Sequence, residues 1–402
     1  MSGTPGTPRP WPGLRPAWIE VDLDAIADNV RRFAAAVAPA RLMAVVKADG
    51  YGHGAVPVAR AAAAAGASWL GVAMVEEAIA LRRAGVSLPV LVLSEPHPAA
   101  ADACVEHRVA VTLCTEAGIR VFGRAARAAG RPLAAHLKVD TGMHRQGCLP
   151  EDLPRLVKLA QAEPGLDVEG LWSHLAVADE PEKSATTDRQ VEAFTEALAV
   201  AEEAGLAPRW RHLANSAGAT LREDARFDLV RAGIELYGLA PAPALTAAVR
   251  GWLRPALALR AAVTAVRTLE AGERVSYGHR WTAPRRCRVV TLPLGYADGV
   301  RRSLSGRIDV RLRERNFAQV GTITMDQLMV DVGDVPIEVG EVATLLGDPA
   351  GGEPGVASWA LALGSIDYEV TCGLSARLPR VHYHGSHSDG AARRIPTGEA
   401  PA

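Results

Sequence analysis

An alternation of short apolar runs with alanine-rich windows is the feature that most constrains how this 402-residue chain can fold. The apolar runs are typical of strands and recur near 42–46, 69–73, 89–93, 109–113, 133–139, 167–172, 209–213 and 228–231. The windows between them have helical periodicity, for example at 54–65, 75–84, 116–129 and 186–204. Continuous apolar strands that alternate with helices form a parallel sheet covered on both faces, and eight such units suit a closed (β/α)8 TIM barrel. A doubly wound open sheet is the alternative.

The pattern changes after about Pro255, which indicates a second, mostly β domain. Alternating or β-branched runs follow at 257–268, 287–292, 307–311, 328–332 and 341–346. We therefore predict a disordered extension over 1–16, a barrel over 17–255, a β domain over 256–382 and a disordered tail over 383–402. An early strand at 18–22 precedes the first barrel strand, so it can pair with the β domain instead.

Composition excludes several classes of partner. The formal net charge is −1, so the chain carries no excess positive charge that would attract nucleic acid or an anionic membrane surface. Five widely spaced cysteines form no C-x-x-C pair, which is typical of reduced thiols in a cytoplasmic protein. The sequence contains neither a long uncharged apolar run nor a signal-peptide pattern, so we expect a cytoplasmic location.

Lys47 ends the first barrel strand and is followed by a glycine-rich turn. It is one of only four lysines among 44 basic residues, so generic surface charge is a poor explanation for it. An amine pressed against apolar walls favours its neutral form, which can attack a carbonyl and form a Schiff base. A strand-end lysine that extends into water is the alternative.

Polar groups follow most of the predicted barrel strands, where the reactive groups of a barrel are expected. They are Lys47, Tyr51, Lys138, Asp140, Arg145, His174, Asn215, Ser216, Arg231, Gly233 and Ile234. The last two loops combine a hydroxyl with backbone N–H groups, which together suit a phosphate. A lysine opposite a phosphate site implies a phosphorylated aldehyde cofactor, and pyridoxal 5'-phosphate is the candidate. We expect no metal in a site of this kind.

Six segments closely resemble alanine racemases, in order along the chain from about Trp18 to Arg380. They are AVVKADGYGHG (44–54), HLKVDTGMHR (136–145), WSHLA (172–176), RAGIELYG (231–238), VSYG (275–278) and MDQ (325–327). The resemblance implies that Lys47 binds the cofactor covalently and that Arg231 faces its pyridine nitrogen. A guanidinium cannot readily give that nitrogen a proton, so the ring would be a weaker electron sink than with a carboxylate partner.

The resemblance also implies roles for the remaining positions. Phosphate would be bound by Tyr51, Ser216, Gly233, Ile234 and Tyr368, and His174 would help to position the ring. Arg145 would contact the cofactor's phenolic oxygen and the substrate carboxylate. Lys138 would support Arg145, and in the family the lysine at that position is often carbamylated.

Racemisation moves protons on both faces of one carbon and so needs two bases. By resemblance, Lys47 acts on the D-enantiomer, and Tyr277 acts on the L-enantiomer from the partner subunit of a homodimer. Met325 and Asp326 would complete the substrate pocket across that interface, and Tyr296 with Tyr368 would narrow its entrance. The predicted function is interconversion of L- and D-alanine, which supplies D-alanine for peptidoglycan.

Alternative functions remain open on the sequence alone. The pocket size near Met325 and Tyr368 cannot be measured, so a racemase of wider range, for example one that accepts serine, stays possible. A barrel-type decarboxylase that uses the same cofactor would not need a second proton base. A non-catalytic pyridoxal-phosphate carrier would share the lysine, but the additional β domain that holds Tyr277 argues against it.

Overall fold

Eight short parallel strands form a barrel in the unit from Ala25 to Leu253. The computed structural model describes residues 11–246, 251–385 and 393–394. The barrel strands are β2 (Arg41–Val45), β3 (Trp69–Val72), β4 (Val90–Val92), β5 (Ala110–Leu113), β6 (Leu133–Lys138), β7 (Leu166–Trp172), β8 (Trp210–His212) and β9 (Leu229–Ala232). Neighbours in sequence are neighbours in the sheet, and β9 returns to pair with β2. Backbone hydrogen bonds from Asp228 N to Arg211 O (3.0 Å) and from Arg231 N to Ala214 O (3.1 Å) link β9 to β8, so the ring is nearly closed. The predicted barrel is confirmed.

Helices connect the strands, and those predicted from the periodicity at 54–65, 75–84, 116–129 and 186–204 are all present. The helices are α1 (Leu23–Val37), α3 (Ala55–Ala64), α4 (Val75–Arg83), α5 (Ala101–Glu106), α6 (Glu116–Ala128), α7 (Leu153–Gln161), α8 (Ser184–Glu203) and α9 (Ser216–Leu221). The element α2 (Lys47–Tyr51) is a short turn whose backbone is mostly left-handed and not α-helical. In α6, Ile119, Phe122 and Ala126 are buried at helical spacing, and Thr115 caps the helix by accepting from Gly118 N at 3.0 Å. Among the described residues, no helix combines the length and the apolar character needed to cross a membrane.

Side chains from several strands fill the barrel interior. One buried cluster contains Met43, Trp69, Leu91, Ala110 and Leu229, which come from five different strands. Such a layer makes the barrel a packed core and not a pore. The space available for polar chemistry is therefore at the carboxyl ends of the strands.

The second unit combines the described residues up to Asp24 with those from Arg254 onward. Its strands are β1 (Ala17–Asp22), β10 (Leu257–Ala262), β11 (Ala265–Leu269), β12 (Arg274–Val275), β13 (Trp281–Thr282), β14 (Cys287–Leu292), β15 (Asp309–Leu312), β16 (Arg315–Val320), β17 (Leu328–Gly333), β18 (Val342–Leu346), β19 (Arg380–His384) and β20 (Arg393–Arg394). Ten of them form one sheet in the order β11-β14-β17-β16-β15-β18-β10-β1-β19-β20, and β12 pairs with β13. Two helices, α10 (Val356–Leu363) and α11 (Asp367–Cys372), complete the unit.

The structure differs from the sequence prediction in several details of this unit. The run at 257–268 is two strands, β10 and β11, which lie far apart in the sheet. Strands β16 and β19, and the two-residue strands β12, β13 and β20, were not predicted. The predicted tail from 383 is wrong at its start, because Tyr383 and His384 belong to β19, which pairs with β1. Residues 1–10, 386–392 and 395–402, which make up most of the two predicted disordered ends, lie outside the described residues.

A buried guanidinium ties β1 to its neighbours in this sheet. Arg260 on β10 donates to Glu20 on β1 at 3.1 Å and to Glu353 at 2.7 Å. The side chains of all three residues are at most 20% exposed. Removing the cation would leave two carboxylates in a poorly solvated place, which is a large penalty.

We expect Arg260→Ala to lower the free energy of unfolding by about 3 kcal/mol or more. Arg286→Ala is the matched control, because its ion pair with Glu270 is 71% and 67% exposed and is worth about 1 kcal/mol or less. Urea denaturation of the full chain measures both variants. Equal losses in the two variants would contradict the role assigned to burial.

Candidate functional site

Lys47 stands at the carboxyl end of β2, at the start of an unusual turn. Ala48, Asp49, Gly50 and Tyr51 all have positive φ, between 52° and 61°. Each non-glycine residue in this left-handed region costs about 1–2 kcal/mol, so the surrounding structure must hold the turn. Glu77 Oε1 accepts from Ala48 N at 2.7 Å, and Asp49 Oδ1 accepts from Ala55 N at 2.8 Å. The turn reverses the chain directly after Lys47 and brings Tyr51 back toward the barrel.

Tyr51 lies against the loop that follows β9. A Cβ atom added to Gly233 would lie 2.4 Å from the Tyr51 hydroxyl, so only glycine fits at that position. The Gly233 N–H donates to Ser216 Oγ at 2.9 Å, which joins this loop to the start of α9. Ile234 follows and is fully buried. Tyr51, Ser216, Gly233 and Ile234, predicted from three separate stretches of loop sequence, therefore surround one small region with hydroxyl and backbone N–H groups.

Arg231, like Lys138, is a deeply buried cation at this end of the barrel, with 3% of its surface exposed. Its two terminal nitrogens donate to His212 Nδ1 (2.9 Å), His212 O (3.1 Å), Ser173 O (2.9 Å), His174 Nδ1 (3.0 Å) and Leu213 O (2.9 Å). All of these acceptors are neutral groups. The Nε–H makes no hydrogen bond to any described residue, so one donor of the guanidinium remains for a ligand.

Lys138 and Arg231 both stack on the same aromatic ring. Lys138 Nζ lies 4.4 Å, and Arg231 Cζ 4.6 Å, from the centroid of Trp172. Burial, together with the positive charges of Arg231 and Arg145, lowers the pKa of Lys138 to about 8. A substantial fraction of this amine is therefore neutral at moderately alkaline pH.

The loop that holds Arg145 is closed by Asp140. Oδ1 of Asp140 accepts from the N–H groups of Gly142 (2.9 Å), Met143 (3.0 Å) and His144 (3.1 Å). Burial alone would raise the pKa of Asp140, but these donors lower it below its ordinary value. The ionised carboxylate fixes the loop backbone, and Arg145 itself is exposed.

His174 follows β7 and accepts from Arg231 through Nδ1. Burial and four cations, Arg231, Arg145, Lys138 and Lys47, hold the pKa of His174 well below its ordinary value. The imidazole is therefore neutral at physiological pH, and its Nε2 carries the proton. Lys47, Lys138, Arg145, His174 and Arg231, predicted from four different loops, act electrostatically on one another at the same end of the barrel.

The other predicted site residues belong to the second unit. The segment 322–325 links three of them: Thr322 Oγ1 donates to Tyr277 O at 2.7 Å, and Tyr296 N donates to Thr324 O at 3.0 Å, next to Met325. Tyr277 is 74% exposed, Met325 52% and Tyr296 41%. Tyr277 also lines a cleft of about 890 Å³ together with His279, Thr324 and Met329.

Two further predicted residues lie elsewhere in the second unit. Asp326 Oδ1 accepts from Arg377 Nη2 at 2.7 Å, which places its carboxylate in an exposed ion pair. Tyr368 is the second residue of α11.

Two histidines that contact the site were not assigned a role from the sequence. His212 ends β8 and accepts from Arg231, and His136 on β6 lies 2.8 Å from His212. Both are fully buried. The available signal was a histidine inside an otherwise apolar barrel strand, but this pattern alone more often marks a core residue whose hydrogen bonds are satisfied.

Known proteins resemble the chain over nearly its whole length. A family model described as "Alanine racemase, N-terminal domain" matches residues 21–241, and one described as "Alanine racemase, C-terminal domain" matches residues 256–382. The alanine racemase of Symbiobacterium thermophilum is 46% identical over 371 residues, which cover 92% of this chain and 98% of that relative. The alanine racemase of Synechocystis sp. is 43% identical over 369 residues, which cover 91% and 98%.

Solved structures agree with these relatives. The crystal structure of alanine racemase from D-cycloserine-producing Streptomyces lavendulae has a TM-score of 0.88 and 41% identity, and covers 93% of this chain and 99% of that one. The alanine racemase of Bacillus anthracis has a TM-score of 0.87 and 33% identity, and covers 96% and 98%.

Glu235 is a fully buried carboxyl group two residues after Gly233. Its Oε2 accepts from Thr220 Oγ1 on α9 at 2.8 Å, and its Oε1 has no hydrogen-bond partner among the described residues. Burial raises the pKa of Glu235 to about 8, although the Thr220 hydroxyl opposes this. The folded chain therefore keeps a proton here that the unfolded chain releases near 4.5.

We expect the folded chain to lose stability at this residue as the pH rises from about 5 to about 8, because folding must then hold a proton that the unfolded state has released. Glu235→Gln keeps the acceptor for Thr220 but cannot ionise. Its free energy of unfolding relative to the unsubstituted chain should therefore rise with pH, by on the order of 4 kcal/mol across this window. Urea denaturation at several pH values measures the difference. Glu223→Gln is the control, because Glu223 is 87% exposed and should show no such trend; parallel pH profiles for all three proteins would refute the prediction.

Proposed function

Because this chain belongs to the alanine racemase family, we propose that it interconverts L- and D-alanine, with pyridoxal 5'-phosphate as cofactor. The observation that carries the proposal is the buried guanidinium of Arg231. Its terminal nitrogens contact only neutral acceptors, and its Nε–H remains available. It lies at the same end of the barrel as Lys47, which follows β2. The product D-alanine would serve peptidoglycan synthesis, as the family resemblance implies.

The residues at the barrel end suit this cofactor. When bound, pyridoxal 5'-phosphate withdraws electrons from the substrate's α-carbon and so makes its C–H bond acidic. Lys47 would hold the aldehyde carbon through its amine, and Arg231 would offer Nε–H to the pyridine nitrogen. His174, which is neutral and fixed by Arg231, would support the ring.

The region between Tyr51 and Gly233 suits the phosphate. A side chain at Gly233 would collide with the Tyr51 hydroxyl, so glycine leaves room for a bulky anion beside this backbone. The Gly233 N–H would exchange its hydrogen bond with Ser216 Oγ for one to the phosphate. The Ser216 hydroxyl and the N–H of Ile234 would add donors, and Tyr368 of the second unit would contribute a phenol. These groups supply hydrogen bonds without a metal ion.

Arg145 would bind the substrate carboxylate and the cofactor's phenolic oxygen. It is exposed, its loop is held by Asp140, and its charge acts on Lys138 and Arg231. A guanidinium matches a carboxylate with two parallel hydrogen bonds, so it selects amino acids by their common group. Lys138 would support Arg145 from within the barrel.

Two bases would move the proton. Tyr277 Oη would remove the α-proton of L-alanine from one face, and Lys47 Nζ would deliver a proton to the opposite face, which yields D-alanine. The reverse reaction exchanges these roles. A single base cannot serve both faces of the carbon, so Tyr277 is what separates this proposal from a decarboxylase.

A homodimer would bring Tyr277 of one subunit to Lys47 of the other. Tyr277, Tyr296 and Met325 are large side chains that lie exposed around the segment 322–325, and such a patch is typical of an interface. Met325 and Asp326 would complete the pocket, and Tyr296 would narrow its entrance. We further propose a cytoplasmic location, because the five cysteines, all of which lie within the described residues, form no disulfide.

The first test is a panel of L-amino acids, including alanine and serine, incubated with the chain and pyridoxal 5'-phosphate. We expect D-alanine as the main product, and Lys47→Ala should abolish both the product and the protein's yellow absorption. Lys158→Ala, which changes a lysine on α7, is the control and should leave both unchanged. Release of carbon dioxide without a D-product would favour the decarboxylase, and a colourless protein would remove the basis of the proposal.

The second test separates the two faces of the carbon. Tyr277→Phe should lower racemisation about a hundredfold or more in both directions. In D2O this variant should still exchange the α-proton of D-alanine through Lys47, but not that of L-alanine. Coexpression of Lys47→Ala with Tyr277→Phe should restore about a quarter of the sites, because one site of each mixed dimer is intact. Deuterium exchange of L-alanine by Tyr277→Phe would refute the two-base assignment, and no recovery on mixing would refute the shared site.

A further inference from the structure

The hydrogen-bond chain that begins at Arg231 continues through the barrel interior. Arg231 Nη1 lies 2.9 Å from His212 Nδ1, and His212 Nε2 lies 2.8 Å from His136 Nδ1. Neither imidazole is exposed. The geometry joins a guanidinium at the carboxyl end of the strands to a group deeper in the barrel.

The direction of every hydrogen bond in this chain follows from its first member. A guanidinium only donates, so His212 Nδ1 must accept and its proton must be on Nε2. The Nε2–H then donates to His136 Nδ1, so His136 also carries its proton on Nε2. Both imidazoles are therefore neutral, which agrees with their burial and with the positive charge of Arg231, both of which lower the pKa of each ring.

The last proton in the chain faces a carboxylate. His136 Nε2 lies 3.7 Å from Glu169 Oε1, and the other oxygen of Glu169 lies 3.7 Å from Arg209 Nη1. This distance is too long for a direct hydrogen bond, so Glu169 acts on His136 through its charge. A negative charge beyond the Nε2–H stabilises the tautomer that Arg231 requires.

Local packing holds the two rings in this arrangement. A Cβ atom on Gly170 would lie 2.2 Å from His136 Nδ1, so the residue after Glu169 has to be glycine. The pairing of β6 with β7 shifts register between Ala135 and His136, beside that glycine. Trp172 stacks on His212, with ring centroids 5.4 Å apart and planes 7° apart.

We propose that His136 and Glu169 are positioning residues for Arg231. Through His212, they select the imidazole tautomer that accepts from Arg231 and keep the guanidinium oriented for its ligand. The proposal rests on the proposed function, in which Arg231 Nε–H faces the cofactor's ring nitrogen. It adds a carboxylate that touches neither cofactor nor substrate.

The test uses chain labelled with 15N in the histidine rings, with and without pyridoxal 5'-phosphate. Long-range 1H–15N spectra report which ring nitrogen carries the proton, and single His→Gln variants assign the signals. We expect His212 and His136 to be neutral and protonated on Nε2. In Glu169→Gln, which keeps the shape and removes the charge, the ring-nitrogen shifts of His136 and His212 should move. The kcat for racemisation should fall about threefold to tenfold while KM for alanine is unchanged.

Glu163→Gln is the matched control. The side chains of Glu163 and Glu169 are both 11% exposed. Glu163 precedes β7, the strand that contains Glu169, but it pairs with Arg127 and not with a histidine. It should leave the ring-nitrogen shifts and kcat unchanged. A proton on His212 Nδ1 in the unsubstituted chain, or equal shifts in both variants, would overturn the proposal. The spectra without cofactor test the tautomer proposal even if the chain does not racemise alanine. Failure of this proposal can therefore be distinguished from failure of the proposed function.

Discussion

A cation buried without a carboxylate beside it is the constraint on which this barrel end depends. Arg231 is 3% exposed, and an isolated charge in such a place would carry a heavy desolvation penalty. Three carbonyl groups and two imidazoles offset it. Those acceptors come from the ends of β7 and β8, so Arg231 on β9 has its hydrogen-bond partners only when these three strands are assembled. After burial, the same charge is the largest influence that lowers the pKa of Lys138 and of His174.

Much of the fold could be predicted because its signal is strong. Buried parallel strands are continuously apolar, and all eight barrel strands fall within a residue or two of the predicted runs. The β unit was harder, because the alternation is weak where polar side chains occupy a strand. β16 contains Arg315, Asn316 and Gln319, and β19 contains Arg380 and two histidines, so neither reads as apolar. Their pairing is set by distant partners, which a local pattern does not contain.

The candidate site, like the fold, could be predicted only in part from the sequence. Residues at or just beyond the carboxyl ends of strands, such as Arg231 and Lys47, could be predicted from the barrel rule and assigned roles by resemblance. His136 and His212 could not, because their importance lies in which atoms face each other across the barrel. The left-handed backbone from Ala48 to Tyr51 also could not be predicted, because only one of its four residues is glycine. The groups that hold it are the side chains of Glu77 and Asp49.

That turn also limits how the lysine can be transplanted. A lysine placed at the end of a strand in another barrel would reproduce the amine but not the course of the backbone after it. An ordinary right-handed turn would place the following residues in a different position. The Glu77 carboxylate binds two further N–H groups, those of Ala73 and Met74, so one side chain couples two consecutive loops of the barrel. The transferable unit is therefore a pair of adjacent loops that share a carboxylate, and not the lysine motif alone.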